Sequence, residues 1–174
     1  MASQGPRPES QPVDAVIGLG ANLGEPRRQI AAAFDALAGL PHTRLLRRSS
    51  LYRSAPLGKT DQPDFINAAA LITTSLEALA LLGYLLEIEH KQGRVRSLHT
   101  MANAPRTLDL DLLLYGDSVI AQSGLTVPHP RMHLRRFVLD PVAEIAPDGI
   151  IPGHGRIAEL LLEVAGQAVE KMAP

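Results

Sequence analysis

The chain has 174 residues, of which 45% are hydrophobic and 20% charged, and its formal net charge is −1. That length predicts one domain with a substantial core, and the small net charge excludes whole-molecule attraction to nucleic acid or to an anionic membrane. Cysteine is absent, which excludes disulfides and thiolate metal sites and suits a cytoplasmic protein.

No apolar run reaches the length of a membrane span. Residues 1–12 are rich in Pro, Ser and Gln and lack an apolar h-region, so they read as a disordered tail and not as a secretory signal. Residues 13–174 then form the single domain. Val13 to Leu19 is apolar apart from Asp14 and Gly18 and predicts a buried first strand. The glycines from Gly18 to Gly24 miss the dinucleotide-loop spacing, because Leu23 stands where the third glycine belongs, and predict a tight strand-to-helix turn. A helix to about Leu40 follows, with Ile30, Phe34, Leu37 and Leu40 as its apolar stripe.

Thr43 to Tyr52 reads as a second strand with a basic flank, and Ser54 to Gly58 as a loop. Gly58-Lys59-Thr60 imitates the end of a P-loop, but Arg53 occupies the position of its first glycine. Phe65 to Thr73 predicts a third strand, with Asn67 among small and apolar residues. Thr74-Ser75-Leu76-Glu77 has the pattern of a capping box, starting a helix to about Gln92 with Leu79, Leu82, Leu86 and Glu89 on one stripe. Residues 91–108 contain no acidic residue but carry Lys91, Arg94, Arg96, His99 and Arg106, which predicts a long basic loop, of a length usual for functional lids or disordered linkers.

Arg106 to Gly116 alternates polar and apolar residues before running into leucines and predicts a strand. Asp109 and Asp111 then share one face, with Cα atoms roughly 6.5–7 Å apart, while Leu108, Leu110, Leu112 and Leu114 face the core. A second acid-free zone, 118–139, carries His129 between Pro128 and Pro130, then Arg131, His133, Arg135 and Arg136. A short helix from Phe137 to Ile145 and another from about Ile157 to Ala165 complete the chain.

Two carboxylates side by side repel unless a cation lies between them, and a hard divalent cation such as Mg²⁺ takes oxygen ligands and brings substrate phosphates with it. Two basic segments flank the pair, which suits a polyphosphate held by metal ions and Arg clamps. Each piece also has an ordinary role open to it. The carboxylates can be a solvated strand edge, a single Arg is most often solvated, His129 can be a turn residue, and Asn67 can satisfy a nearby backbone group. Their joint occurrence favours phosphoryl-type transfer, which needs positioning and charge more than a strong nucleophile.

Pro105-Arg106-Thr107-Leu108-Asp109-Leu110-Asp111 resembles the signature of the 6-hydroxymethyl-7,8-dihydropterin pyrophosphokinase family. Residues 20–24, 52–58, 61–68, 92–96 and 127–130 resemble further motifs of that family, in the same order. The resemblance implies an α+β fold with a ferredoxin-like core, a mainly antiparallel sheet covered by helices. It implies transfer of pyrophosphate from ATP to the pterin hydroxymethyl group with release of AMP, in folate biosynthesis. It further implies two Mg²⁺ held by Asp109 and Asp111, and catalytic or ATP-binding roles for Glu89, Arg94, Arg96, Arg106, His129 and Arg135. The pterin would meet Ser54, Ala55, Pro56, Leu57, Phe65, Asn67 and Phe137. A cytoplasmic monomer is expected, with small-molecule substrates and neither nucleic acid nor membrane as partner. The chain departs from the family where many members have Arg-Trp-Gly-Pro-Arg, since Met101 to Pro105 here contains no Trp. Two rival readings remain at this stage: another Mg²⁺-dependent nucleotidyl or phosphoryl transferase, and a non-enzymatic ligand-binding module.

Overall fold

The structure, a computed structural model, describes residues 11–58, 61–92 and 108–174. The expectations for Arg94, Arg96, Met101 and Arg106, and for all of the tail but its last two residues, therefore lie outside the described residues. Strand β1 (Val13–Ala21) is the axis of the sheet. It pairs antiparallel with β4 (Phe65–Thr74) on one side and with β5 (Asp109–Tyr115) on the other. The outer edge of β4 holds both β2 (Thr43–Arg48) and β3 (Tyr52–Ser54), and β10 (Val169–Lys171) pairs with β3. Every pairing is antiparallel, and the sheet is the mainly antiparallel ferredoxin-like one that the motifs imply. Two small hairpins, β6–β7 (Ile120–Gln122, Leu125–Val127) and β8–β9 (Ile150–Ile151, Gly155–Arg156), lie apart from it.

Alternating side chains send one set of residues to each face of the sheet. Ile17, Leu19, Ile66, Ala70 and Ile72 pack with α1 (Pro26–Ala38) and α2 (Ala78–Lys91) in the larger core. Val16, Ala69 and Leu113 pack with α3 (Arg136–Ile145) and α4 (Ile157–Glu163) in the smaller one. Helix α1 buries Ile30, Phe34 and Leu37 as expected and ends at Gly39.

Several local expectations need correction. The second strand is two strands, because Ser49 takes both backbone groups of Ala69. Its N–H donates to the Ala69 carbonyl at 2.9 Å, and its Oγ accepts the Ala69 N–H at 2.8 Å. The glycines at 18 and 20 lie inside β1, so the turn to the helix comes later, at Asn22–Glu25. The capping box does not form. Helix α2 starts at Ala78, and Thr74 Oγ1 instead accepts the Leu76 N–H and meets Thr43 Oγ1. The buried face of α2 is Ala78, Leu81, Leu85, Ile88 and Glu89, leaving Leu79 and Leu86 exposed. Leucines surround this helix, so periodicity alone did not select the buried stripe.

Strand β5 carries a bulge. Val16 faces Leu114 while Ile17 faces Leu112, leaving Leu113 as the extra residue. Leu108, Leu110 and Leu112 enter the larger core, but Leu114 joins Leu113 on the opposite face, against the expectation for it.

Helix α3 is tied to the β2–β3 break by Glu144. Its carboxylate accepts the Ser50 N–H at 3.0 Å, the Ser50 hydroxyl at 2.8 Å and the Tyr52 hydroxyl, with Lys171 Nζ at 3.9 Å. Burial pushes the Glu144 carboxyl up, but these hydrogen bonds and the Lys171 charge outweigh it and hold the group below its ordinary value. Burial, and then Glu144, raise the Tyr52 phenol. A carboxylate with a lowered folded-state pKa stabilises the fold above its unfolded value, and that contribution is lost as pH falls through the lowered one. Glu144→Ala, which leaves these donors unpaired, should cost about 1–3 kcal/mol at neutral pH. Thermal denaturation against pH should show the difference from the parent protein shrinking in acid.

Candidate active site

The face of the sheet that carries α3 and α4 is not wholly covered, and a cleft opens over its free end. Its floor follows from the register. Gly18 pairs with Ala69 and Asp111, and Gly20 pairs with Asn67 and Asp109. Two glycines at i and i+2 in the central strand leave a trough between the carboxylates on β5 and the amide on β4. The sequence reading missed this role, although two glycines of equal parity within one apolar strand are its signal.

One wall is acidic at the base and basic above. Asp109 and Asp111 are half-buried and lie on the same face, as their spacing predicts. His129 and Arg135 line the cleft beside them. The bulge helps to place His129, because the Leu113 carbonyl, out of register with β1, accepts the His129 N–H at 3.0 Å. The Arg131 N–H points at His129 Nδ1, 3.2 Å away, which makes Nδ1 an acceptor and leaves the proton on Nε2. Burial and the Arg135 charge push the imidazole below its ordinary pKa, against an opposing pull from Asp109. His129 is therefore a neutral N–H donor at neutral pH.

The other wall suits a flat ring. Phe65, Phe137, Ser54, Ala55 and Leu57 line it together with Asn67. Asn67 Nδ2 donates to Ser54 Oγ at 2.8 Å and to the Tyr52 carbonyl at 3.3 Å. A carbonyl can only accept, so this network fixes the amide, with Oδ1 on the Gly20 side. Asn67 thus presents an acceptor, and Ser54, having accepted from Asn67, keeps a hydroxyl proton to donate. Arg135 lies 5.6 Å over the Phe137 ring, a cation–π contact that braces both side chains. Arg136 turns away, bound to Asp140, Gln167 and the Ala165 carbonyl.

Not every expected residue lines the cleft. Pro56 is half-buried beside it but is not among the lining residues, and Glu89 is buried under the edge of β5. There Glu89 Oε1 accepts the Leu110 N–H at 2.8 Å. Leu19, Ala68, Leu113 and Val138 complete the lining and had not been singled out as site residues. Among the described residues no cluster of three His, Cys, Asp or Glu side chains could hold a metal. Two carboxylates on one face fit a magnesium ion that completes its shell with water and substrate phosphates, and fit poorly a metal needing a full protein cage.

The sequence model of the 7,8-dihydro-6-hydroxymethylpterin-pyrophosphokinase family matches residues 16–147. A 2-amino-4-hydroxy-6-hydroxymethyldihydropteridine pyrophosphokinase of Haemophilus influenzae is 46% identical, over 93% of this chain and 99% of that one. One of Pseudomonas aeruginosa is 47% identical, over 90% of this chain and 94% of that one. In structure, a Plasmodium falciparum HPPK-DHPS with pteroate superposes with a TM-score of 0.70 at 14% identity, over 91% of this chain. This chain spans 44% of that longer one, so the likeness speaks to the fold.

Fold and relatives together define a pyrophosphokinase-type enzyme on a ferredoxin-like sheet. Within that class, the chain belongs to the 7,8-dihydro-6-hydroxymethylpterin-pyrophosphokinase family. Among the described residues no helix is long and apolar enough to cross a membrane.

The electrostatics of His129 can be measured directly. In a ¹⁵N-detected titration His129 should carry its proton on Nε2 and titrate below the ordinary imidazole value of about 6.5. Arg135→Gln should move that midpoint upward, because it removes a positive neighbour that disfavours the imidazolium.

Proposed function

We propose that this cleft binds ATP and 6-hydroxymethyl-7,8-dihydropterin and transfers the β,γ-pyrophosphoryl group of ATP to the pterin hydroxymethyl oxygen. The new bond joins that oxygen to the β-phosphorus as the hydroxyl gives up its proton to water. The bond from the β-phosphorus to the oxygen bridging it to the α-phosphorus breaks, and AMP leaves with that oxygen. What supports the reading is one observation: a single cleft has a carboxylate pair, an imidazole and an arginine at one end, and an amide, a serine and two phenylalanines at the other.

Asp109 and Asp111 would hold two magnesium ions. Bound there, magnesium supplies charge neutralisation on the phosphate oxygens and lowers the pKa of a coordinated hydroxyl. Arg135 and the His129 Nε2–H donate to phosphate oxygens, and Arg94, Arg96 and Arg106 are assigned to the same nucleotide. His129 is not the base that takes the hydroxyl proton. Its Nδ1 lone pair is engaged by Arg131 and its Nε2 is protonated. Phe65 and Phe137 flank the pterin ring with aromatic faces. Asn67 Oδ1 accepts from the N–H groups of the ring edge, Ser54 donates to an acceptor there, and Ala55, Pro56 and Leu57 form the adjoining wall. Glu89 acts on the nucleotide end by holding β5 in place through Leu110.

Incubation with ATP, Mg²⁺ and the hydroxymethyl-dihydropterin should produce AMP in step with pterin consumption, and none without the pterin. ADP as the nucleotide product would point to a different transferase and overturn the reaction proposed. Asp109→Ala and Asp111→Ala should each lower kcat by about 10²–10³, as loss of transition-state charge stabilisation does elsewhere. Full activity in the double variant would refute the metal assignment. Asn67→Ala should weaken pterin binding by about 1–3 kcal/mol, measured by calorimetry, with the nucleotide Kd unchanged.

A further inference from the structure

We propose that Gly20 determines the cleft's specificity for a fused-ring substrate: lacking a side chain, it lets the ring system seat against the backbone of β1 between Asn67 and Asp109. The inference rests on the pterin reading above. Gly20 is the cross-strand partner of Asn67 on β4 and of Asp109 on β5. The residue that reads the ring and a carboxylate at the reacting end therefore stand on either side of it, roughly 9.5 Å apart across two strand spacings. A two-ring heterocycle with a one-carbon arm covers such a span only by passing over Gly20.

Nothing in the fold itself requires glycine there. Gly20 is not among the glycines with positive φ, so its backbone is open to any residue. A Cβ built on it would meet Asn67 Oδ1 at 3.5 Å and the Ile66 carbonyl at 4.0 Å, both ordinary contacts. Glycine inside a strand also weakens the strand, through chain entropy and the missing side-chain packing. Gly18 is different. A Cβ there would press on Leu113 Cδ1 at 3.1 Å, so core packing gives that glycine a reason besides the trough. At Gly20 the space a methyl would take is the cleft, directly beside the Asn67 oxygen that faces the ligand. A methyl there lifts the ring from Asn67 Oδ1 and displaces its arm from Asp109. The phosphates, approached from Asp109, Asp111, His129 and Arg135, do not need this floor.

The test is Gly20→Ala in the full chain, with Gly20→Ser as a second variant. Both should melt at or above the parent temperature. Both should bind a non-hydrolysable ATP analogue with Mg²⁺ at the parent Kd, yet bind hydroxymethyl-dihydropterin about tenfold more weakly or worse, the usual size of an overpacking penalty. Pterin affinity within fivefold of the parent in both variants overturns the proposal. So does a fall in melting temperature with parallel loss of both ligands, which would assign Gly20 to packing. If the parent protein itself does not bind the pterin, the functional reading fails first and the floor assignment fails with it.

Discussion

The pairing of β1 with β5, and the extra residue within it, is the constraint on which both the core and the cleft depend. A strand slipped by one residue would send its whole apolar set to the wrong face. Before the bulge, Asp109 and Asp111 stand opposite Gly20 and Gly18, while Leu108, Leu110 and Leu112 fill the core under α1 and α2. At the bulge the alternation breaks, and Leu113 and Leu114 both serve the core under α3 and α4. The same irregularity frees the Leu113 carbonyl to hold the His129 backbone. One inserted residue thus fills the second core and brings an imidazole to the carboxylates.

The ring-binding wall depends on a different support. Tyr52 uses its carbonyl to orient Asn67 and its hydroxyl to hold Glu144 on α3, so one residue links the amide at the floor to the helix overhead. Arg47 adds a second tie from β2 to the C-terminal end of α3, through the Ile145 carbonyl at 3.1 Å. At the other end of that helix, Arg136 donates from its N–H and its guanidinium to Gln167 in the C-terminal segment. Arg135 precedes that helix and Phe137 lies in its first turn, so both are held by an element fixed at both ends, the support a preorganised site needs.

Much of this was legible in the residues. Apolar runs identified β1 and β4 and period-two alternation identified β5, and the parity of Asp109 and Asp111 put them on one face, because strand geometry leaves a regular segment little choice. The family motifs carried the antiparallel ferredoxin-like sheet. The errors arose where side chains compete with backbone or where several faces are equally apolar. Ser49 splits a strand that looked continuous, and Thr74 closes a local turn instead of capping a helix. In α2 the leucine stripe was misjudged by one residue, because the sequence offers apolar side chains on nearly every side. The bulge at Leu113 has no local signature, and Leu114 was assigned to the wrong core for that reason. In the sequence Gly18 and Gly20 suggest a turn, since glycine in a strand acquires a meaning only once its cross-strand neighbours are known.

The bond from Glu89 to Leu110 joins the last turn of α2 to the first residues of β5, within 2.8 Å. The intervening chain, which includes the stretch where this protein departs from its family, must therefore leave and return at one buried clasp. Closing such a loop costs free energy that rises only logarithmically with its length. The clasp therefore sets where β5 begins against the end of α2, whatever length of chain lies between them.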